Sequence, residues 1–338
     1  MTVSDPRAEV CAFLRRQGLL GRGEHAALTP LTGGVSSDLW RVDLPTRTVC
    51  VKAALAQLKV AHEWHAPVSR NRVEYDWLQF AAPLCPGQVP QVIAYDDAGL
   101  FAMEFLPPQR YSVWKAQLLG GHVDVAVARA VGDLVGRLHS TSAADPRTPV
   151  LFATDDNFDA LRIEPFLRVT AQAHPDLADR FAELAATTAG THLAVVHGDV
   201  SPKNILLGPD GPVLLDAECA WFGDPAFDIA FCLNHLLIKS VKLPNHADEL
   251  RAAAQALADG HARHIDWEPP DSLGARVAAL LPALALARID GTSPVEYLDE
   301  AQRGEVRRLG RALLHDPAPT VGRLLDRWAM GALANQHQ

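Results

Sequence analysis

Apolar residues recur with two different periods in the N-terminal third of the chain. Val49 and Val51 alternate with Cys50 and Lys52, which is the two-residue period of a strand. Apolar positions three and four residues apart predict a helix, and Asp5-Pro6 is a typical helix start. The strand patterns cover residues 28–44, 46–55 and 88–108, and the helical patterns cover residues 6–17 and 71–81.

The helical period dominates after Pro107 and Pro108. Residues 125–139 carry valine and leucine at helical spacing, and most of the later sequence is an Ala/Leu-rich helical pattern broken by Pro and Gly. The exception is the stretch 195–231. The pattern predicts an α+β chain with a small β-rich N-terminal lobe over residues 1–105 and a larger, mainly helical lobe over residues 106–338.

Charge and cysteine content narrow the class of protein. The 338 residues carry a net charge of −9 without a basic stripe, which argues against nucleic acid or an anionic membrane as the main partner. Five scattered cysteines, none in a C-x-x-C pair, predict reduced thiols and a cytoplasmic location. The N-terminus has no signal-peptide pattern, and the apolar runs are shorter than the roughly 20 residues of a bilayer span.

Residues 195–231, VVHGDVSPKNILLGPDGPVLLDAECAWFGDPAFDIAF, place acidic and amide side chains among strand-like apolar runs. Two such runs joined by Gly-Pro-Asp-Gly predict a hairpin that brings Asn204 and Asp216 to one end, near Asp199. Carboxylate and amide oxygens are the ligands that magnesium prefers. A further carboxylate could orient a hydroxyl and accept its proton, which together with a metal is what phosphoryl transfer requires.

The motif HGDVSPKN followed by LLDAE resembles the catalytic loop and metal motif of the kinase-fold small-molecule phosphotransferases. This superfamily includes aminoglycoside phosphotransferases, choline kinases and methylthioribose kinases. The resemblance implies a bilobal protein-kinase-like fold, ATP and Mg²⁺ as cofactors, and a small molecule with a hydroxyl group as substrate. It also implies Asp199 as the catalytic base, Asn204 and Asp216 as magnesium ligands, and Glu218 as a further ligand.

The same resemblance assigns nucleotide-binding residues in the N-terminal lobe. Lys52 lies in a strand, as does the lysine of the family that pairs with the α- and β-phosphates, and Glu74 is its expected ion-pair partner. The other implied contacts are Gly33 and Gly34, in the turn TGGVSSDLW over the phosphates, and Glu104, Phe105 and Leu106, whose backbone would contact adenine.

The resemblance favours a sugar-like acceptor, as in methylthioribose kinases, with an aminoglycoside or an amino-alcohol such as choline as the alternative. The segment VKAALAQLKVAHEWHAPVSRNRVEYDWL and the D-x-E motif are similar to methylthioribose kinases, which also suggests a homodimer. The piece SPKN is more similar to aminoglycoside phosphotransferases and choline kinases. Arg288, in ALARIDG, and Trp221 are candidate substrate contacts. Two other hypotheses are a catalytically silent nucleotide-binding regulator and a protein kinase. The absence of D-F-G and A-P-E motifs after Asp216 argues against the protein kinase.

Overall fold

The computed structural model describes residues 5–31, 37–54 and 70–335, and the chain divides after Tyr111 into two compact units. The first unit is Met1–Tyr111 and the second is Ser112–Gln338. The sequence placed this boundary after Phe105. The residues between the two positions form a turn in which the carbonyl of Pro107 accepts hydrogen bonds from the amides of Arg110 and Tyr111.

In its described residues, the first unit is built on one antiparallel sheet of five strands. The strands are β1 (Ala27–Leu31), β2 (Ser37–Asp43), β3 (Thr48–Ala54), β4 (Val92–Tyr95) and β5 (Leu100–Glu104). Their order in the sheet is β1-β2-β3-β5-β4. The strand β3 is therefore central, and its Lys52 lies between Leu39 of β2 and Phe101 of β5.

The described part of this unit also contains the helices α1 (Pro6–Arg16) and α2 (Arg70–Ala81). The side chain of Asp5 accepts a hydrogen bond from the amide of Arg7, so α1 begins with the predicted cap. Its buried face, with Phe13 and Leu14, belongs to the same core cluster as Val49 and Val51 of β3. The opposite face of β3 holds Lys52, which is also buried.

The second unit is mainly helical, as the sequence predicted. Its α-helices are α3 (Trp114–Leu119), α4 (Val125–Ala144), α5 (Thr148–Leu151), α6 (Asp155–Phe158), α7 (Val169–Ala173), α8 (Ala178–Gly190), α9 (Ala226–Lys242), α10 (Ala247–Ala262), α11 (Pro270–Asp290), α12 (Glu300–His315) and α13 (Val321–Asn335). A π-helix, Asp159–Arg168, joins α6 to α7 and contains Pro165. Short 3₁₀ turns are Pro175–Leu177, Pro202–Asn204 and Pro244–His246.

The described part of the second unit also contains five short strands, four of which lie in or at the edge of residues 195–231. They are β6 (Ser112–Val113), β7 (Ala194–Val196), β8 (Ile205–Gly208), β9 (Gly211–Leu214) and β10 (Trp221–Gly223). The strands β6, β8 and β9 form one antiparallel sheet, and β7 pairs with β10. The predicted hairpin is therefore present as β8 and β9.

By length and composition alone, α11 could cross a membrane. However, 67% of its most apolar 18-residue segment is buried inside the protein. Leu280, Leu281 and Leu284 are among its buried residues. This is the burial of a central helix in a helical core, which is apolar on all sides because other elements surround it.

Candidate active site

The loop after β7 is fixed by a buried carboxylate at the start of α9. Asp228 accepts hydrogen bonds from the amides of His197 and Gly198, with N···O distances of 2.7 and 2.8 Å. Its side chain is fully buried and also bonds His139, at 3.1 Å. Because one carboxylate receives two consecutive amides, the loop has little freedom to change conformation. Asp228 is thus a structural residue that holds the backbone of this loop.

His197 is a structural residue of the same loop. Its Nδ1 accepts a hydrogen bond from the amide of Asp199 at 3.2 Å, which requires that this nitrogen carry no proton. Burial lowers the pKa of His197 and keeps the ring neutral, despite the opposing charge of Asp228. The imidazole thus helps to hold Asp199 in place.

The carboxylate of Asp199 is buried and faces two cations. One of its oxygens, Oδ2, lies 3.0 Å from Nη2 of Arg162 and 3.2 Å from Nζ of Lys203, while Ser201 donates to Oδ1 at 3.1 Å. Burial raises the pKa of Asp199, but the charges of Lys203 and Arg162 outweigh it and bring the pKa well below its ordinary value. The group is therefore ionised and able to accept a hydrogen bond from a substrate hydroxyl.

Arg162 is a site residue that the sequence reasoning missed. It lies on the π-helix, with Nε donating to the carbonyl of Gly198 and Nη1 donating to that of Leu161 at 2.7 Å. One guanidinium thus binds both the backbone and the side chain of the loop that carries Asp199. The available signal was an arginine inside the apolar run ALRIEPFL, since a buried arginine needs a partner.

The hairpin brings the predicted metal ligands to the same loop. Ile205 pairs with Leu214, and beyond that pair the amide of Leu215 donates to the carbonyl of Asn204 at 2.9 Å. The side-chain nitrogen of Asn204 donates to the carbonyl of Asp199 at 3.2 Å. The side-chain oxygen of Asn204 therefore points away from the carbonyl of Asp199. Asp216 follows directly after Leu215 at the end of the hairpin.

The segment with Asp216 and Glu218 packs closely on the catalytic loop. Asp216 has a φ of 68°, a left-handed conformation that is uncommon for residues other than glycine. Gly198 has a φ of 78°, and a Cβ added to it would lie 2.7 Å from the carbonyl oxygen of Cys219. Only glycine allows this approach, which brings the two motifs into one region of the second unit. Strained backbone of this kind is concentrated at functional sites.

The oxygen donors of this region suit a magnesium ion. Two carboxylates, Asp216 and Glu218, and the amide of Asn204 are hard oxygen ligands, and phosphate oxygens or water commonly complete such a shell. Among the residues that the structure describes, no three His, Cys, Asp or Glu side chains are grouped closely enough to hold a metal by themselves. Magnesium binding by these three residues therefore stays a prediction.

In the first unit, Lys52 and Glu74 form a buried ion pair. Their Nζ and Oε2 atoms are 2.5 Å apart, and each side chain is 2% exposed. The ion pair that the sequence predicted is confirmed. A buried lysine is costly unless it is paired, and a fixed pair presents its charge in one place. The role of these two residues in binding phosphates stays a prediction.

The remaining predicted nucleotide contacts differ in what the structure describes. Gly33 and Gly34 lie outside the described residues. Glu104 ends β5 with its amide donating to the carbonyl of Gln91 at 2.8 Å, so this amide is already used within the sheet. The ring of Phe105 lies 5.1 Å from the guanidinium carbon of Arg41. Adenine contacts by the backbone of Glu104, Phe105 and Leu106 stay predictions.

The two predicted substrate contacts lie in different surroundings. Trp221 is buried, stacks on Phe158 with ring centroids 4.4 Å apart, and donates from its indole nitrogen to Asp155 at 3.0 Å. These contacts are those of a core residue. The predicted contact of Trp221 with substrate stays a prediction. Arg288 lies on α11, and its guanidinium carbon is 6.0 Å from the ring of Phe166.

A β-rich unit followed by a larger helical one, with a buried aspartate after β7 held between two cations, is the arrangement expected of a kinase-like phosphotransferase. A model of the phosphotransferase enzyme family (APH) matches residues 27–241. The match covers more than half of the chain, so the chain belongs to this family. Methylthioribose kinase 1 of Oryza sativa subsp. japonica is 25% identical to it over 233 residues, which are 60% of this chain and 54% of that protein. The chain spans about half the length of the curated relatives it matches.

Solved structures share the fold at low sequence identity. A choline/ethanolamine kinase family protein from Mesorhizobium loti matches with a TM-score of 0.51 and 18% identity, over 96% of this chain and 99% of that one. An amicoumacin kinase in complex with AMP-PNP and Ca²⁺ matches with a TM-score of 0.56 and 15% identity, over 94% and 99%. The predicted α+β fold, a small β-rich unit followed by a larger helical one, is confirmed.

Proposed function

We propose that the protein is an ATP- and Mg²⁺-dependent kinase that transfers the γ-phosphate to a hydroxyl of a small, sugar-like acceptor. One observation carries the proposal: Asp199 is a buried carboxylate on a loop that Asp228 fixes, and Asn204 of the following hairpin is hydrogen-bonded to the same loop. The relatives found by sequence favour a sugar-like acceptor, because they are methylthioribose kinases.

Asn204, Asp216 and Glu218 would hold the metal. When bound, Mg²⁺ supplies positive charge that stabilises the phosphate oxygens during transfer. The chain's own contribution is to fix these donors: the hairpin positions Asn204, and the left-handed backbone at Asp216 turns that residue out of the strand direction.

Asp199 would orient the acceptor hydroxyl and accept its proton. The ion pairs with Arg162 and Lys203 keep this carboxylate ionised, and they also limit its rotation. Phosphoryl transfer depends mainly on positioning and charge stabilisation, so a rigid, correctly placed carboxylate is the contribution that the protein can make to the nucleophile. Lys52 would bind nucleotide phosphates, with Glu74 holding its side chain in place.

A screen of ATP consumption tests the proposal. Sugars, thiosugars, amino-alcohols and aminoglycosides are offered in turn, and the position of the new phosphate is read by NMR. We expect transfer to a sugar-type hydroxyl, a loss of about 10³-fold or more in kcat for Asp199→Asn, and unchanged nucleotide binding in that variant. Nucleotide binding without transfer to any acceptor would instead favour the silent regulator. Transfer to a peptide pool would favour a protein kinase.

A further inference from the structure

A group of cationic and polar side chains in the second unit lies near Asp199. Apart from Arg288 as a predicted substrate contact, its members have no role in the chemistry described above. We call it the basic cluster; its members are His235, Lys239, Arg288 and Tyr297. Ring contacts connect it to the catalytic loop: Arg162, which binds Asp199, and Arg288 both lie over the ring of Phe166, at 5.6 and 6.0 Å.

Lys239 is the most buried cation of the cluster. It is 1% exposed. Its Nζ lies 5.1 Å from the ring centroid of Tyr297 and, within the part of the chain that the structure describes, donates only to the carbonyl of His235, at 3.3 Å. Among the described residues, no carboxylate comes within 4.0 Å of it. Burial first, and then the charge of Lys115, lower the pKa of Lys239 to about 7. A buried lysine without a carboxylate opposes folding, so its presence requires another explanation.

Each of the other three members also has a buried polar atom without a hydrogen-bond partner among the described residues. Arg288 donates from Nη1 to Ser293, but its Nε has no acceptor among the described residues. Within the same residues, the Nε2 atom of His235 and the hydroxyl of Tyr297 are buried without a hydrogen-bond partner. Buried polar groups are normally satisfied, and a concentration of unsatisfied ones is typical of a site that a ligand completes.

The balance of charge around the cluster determines which ligand would fit. The nearby carboxylates are already engaged, since Glu296 binds Lys115 and Asp199 binds Arg162 and Lys203. Lys239, which is buried, and Arg288, which is half-buried, are left as cations without a carboxylate within 4.0 Å among the described residues. A negatively charged ligand would neutralise them, whereas a quaternary ammonium or a polyamine would be repelled.

We propose that Lys239 and Arg288, assisted by His235 and Tyr297, bind a carboxylate or phosphate group of the acceptor. The acceptor is then a hydroxylated molecule with an anionic group at one end, and another part of it presents a hydroxyl to Asp199. This inference rests on the proposed function for the hydroxyl, but not for the anion. It argues against choline and aminoglycosides as substrates, because both are cations.

Binding of simple anions to the full-length protein tests the inference without any phosphate transfer. Gluconate and glucose 6-phosphate represent the carboxylate and the phosphate, while glucose and choline serve as the uncharged and cationic probes, all at equal ionic strength. The shift in unfolding temperature and the heat of binding are measured with and without ADP and Mg²⁺. We expect at least one anionic probe to bind, glucose and choline not to bind, and the bound nucleotide to leave anion binding intact.

Variants assign the binding to the cluster. Lys239→Met and Arg288→Met should each weaken anion binding about tenfold or more, because each removes a charged hydrogen-bond donor. Lys239→Arg should retain part of it. The control is Lys242→Met, one turn further along the same helix. Asp199→Asn should still bind the anion although it cannot transfer phosphate, which separates failure of this inference from failure of the proposed function.

Three results would overturn the inference. They are equal anion binding by the wild type and the two cluster variants, loss of anion binding when ADP and Mg²⁺ occupy the nucleotide site, and preference for choline or glucose over both anions. Binding of only one of the two anionic probes supports the inference and identifies the acceptor's acidic group.

Discussion

Arg162 contacts the catalytic loop at two points with different physical consequences. Its ion pair with Asp199 keeps the carboxylate ionised, and its bond to the carbonyl of Gly198 fixes the backbone next to it. A guanidinium suits this task because its donors form a rigid fork, which a lysine cannot reproduce. In the proposed mechanism, Arg162 is therefore a positioning residue that acts through Asp199.

Replacement of Arg162 separates positioning from simple structural support. We expect Arg162→Met to lower kcat by about 10- to 100-fold, because one charged hydrogen bond to the base is lost, with little change in the KM for ATP. Arg162→Lys should recover part of kcat, since it keeps the charge but not the fork. Steady-state kinetics with both substrates measures this. A parallel loss of kcat and of folded protein in both variants would contradict a positioning role.

Lys239 makes the stability of the protein depend on pH in a defined direction. Its pKa falls from 10.5 in the unfolded chain to about 7 in the folded protein, because of burial first and then the positive charges of Lys115 and Arg288, which outweigh the opposing effects of Cys232 and Glu296. Between these two values the unfolded chain binds one proton more than the folded protein. The free energy of unfolding should therefore gain up to roughly 1.4 kcal/mol per pH unit from this group as pH rises from 7 to 10.5.

Lys239→Met should remove this pH dependence and stabilise the protein. We expect the free energy of unfolding at neutral pH to rise by roughly 2 to 4 kcal/mol, because a buried charge is replaced by an apolar side chain of similar length. Urea unfolding at several pH values measures the effect. The partly exposed Lys242→Met should leave the slope unchanged. A destabilised Lys239→Met protein would show that the lysine is satisfied in the folded state by a group that this reasoning overlooks.

At the scale of elements, α4 and α10 approach each other through glycines. A Cβ at Gly132 of α4 would lie 2.0 Å from the carbonyl oxygen of Leu257, and one at Gly260 of α10 would lie 2.4 Å from that of Arg129. Backbone atoms cannot give way as a flexible side chain can, so the two helices would have to separate. The same helices carry His139 and His261. The two rings are hydrogen-bonded to each other, and the ring of His139 also bonds the carboxylate of Asp228.

Gly132→Ala should therefore destabilise the second unit by about 1 to 3 kcal/mol through overpacking. The matched control is Gly274→Ala in α11, where an added Cβ meets no atom within 4 Å. The same change there should stabilise by about 0.5 to 1 kcal/mol, because alanine favours the helix. Thermal and urea unfolding of both variants compare the two. Equal effects would mean that the helices can separate at no cost.

The sequence predicted what depends on local pattern and missed what depends on distant contacts. The hairpin after Asn204, the cap at Asp5 and the pair of Lys52 with Glu74 follow from short-range spacing or from a motif. Arg162 and Lys239 were not predicted. Each lies in an apolar helical stretch far along the chain from Asp199, where nothing local distinguishes a buried cation from a solvated one.

At the scale of the whole molecule, the two units carry different kinds of binding residue. The first unit contributes one buried lysine with its glutamate, whereas the second contributes the carboxylates, the loop and the basic cluster. If nucleotide phosphates are bound by Lys52 and the acceptor by the basic cluster, the two affinities should respond to mutations in different units. This expectation is specific to a kinase with separate nucleotide and acceptor contacts.

Glu74→Gln tests this division of roles. It removes the carboxylate charge facing Lys52 in a buried pair, so we expect a loss of about 3 to 5 kcal/mol in stability and weaker nucleotide binding. Anion binding at the basic cluster should be unchanged under conditions where the variant is folded. The control on the same helix is Asp76→Asn, which breaks a more exposed pair with Arg72 and should cost less than about 1 kcal/mol. Calorimetric titration with ADP and with the anionic probes measures both affinities, and a joint loss of the two in Glu74→Gln would contradict separate sites.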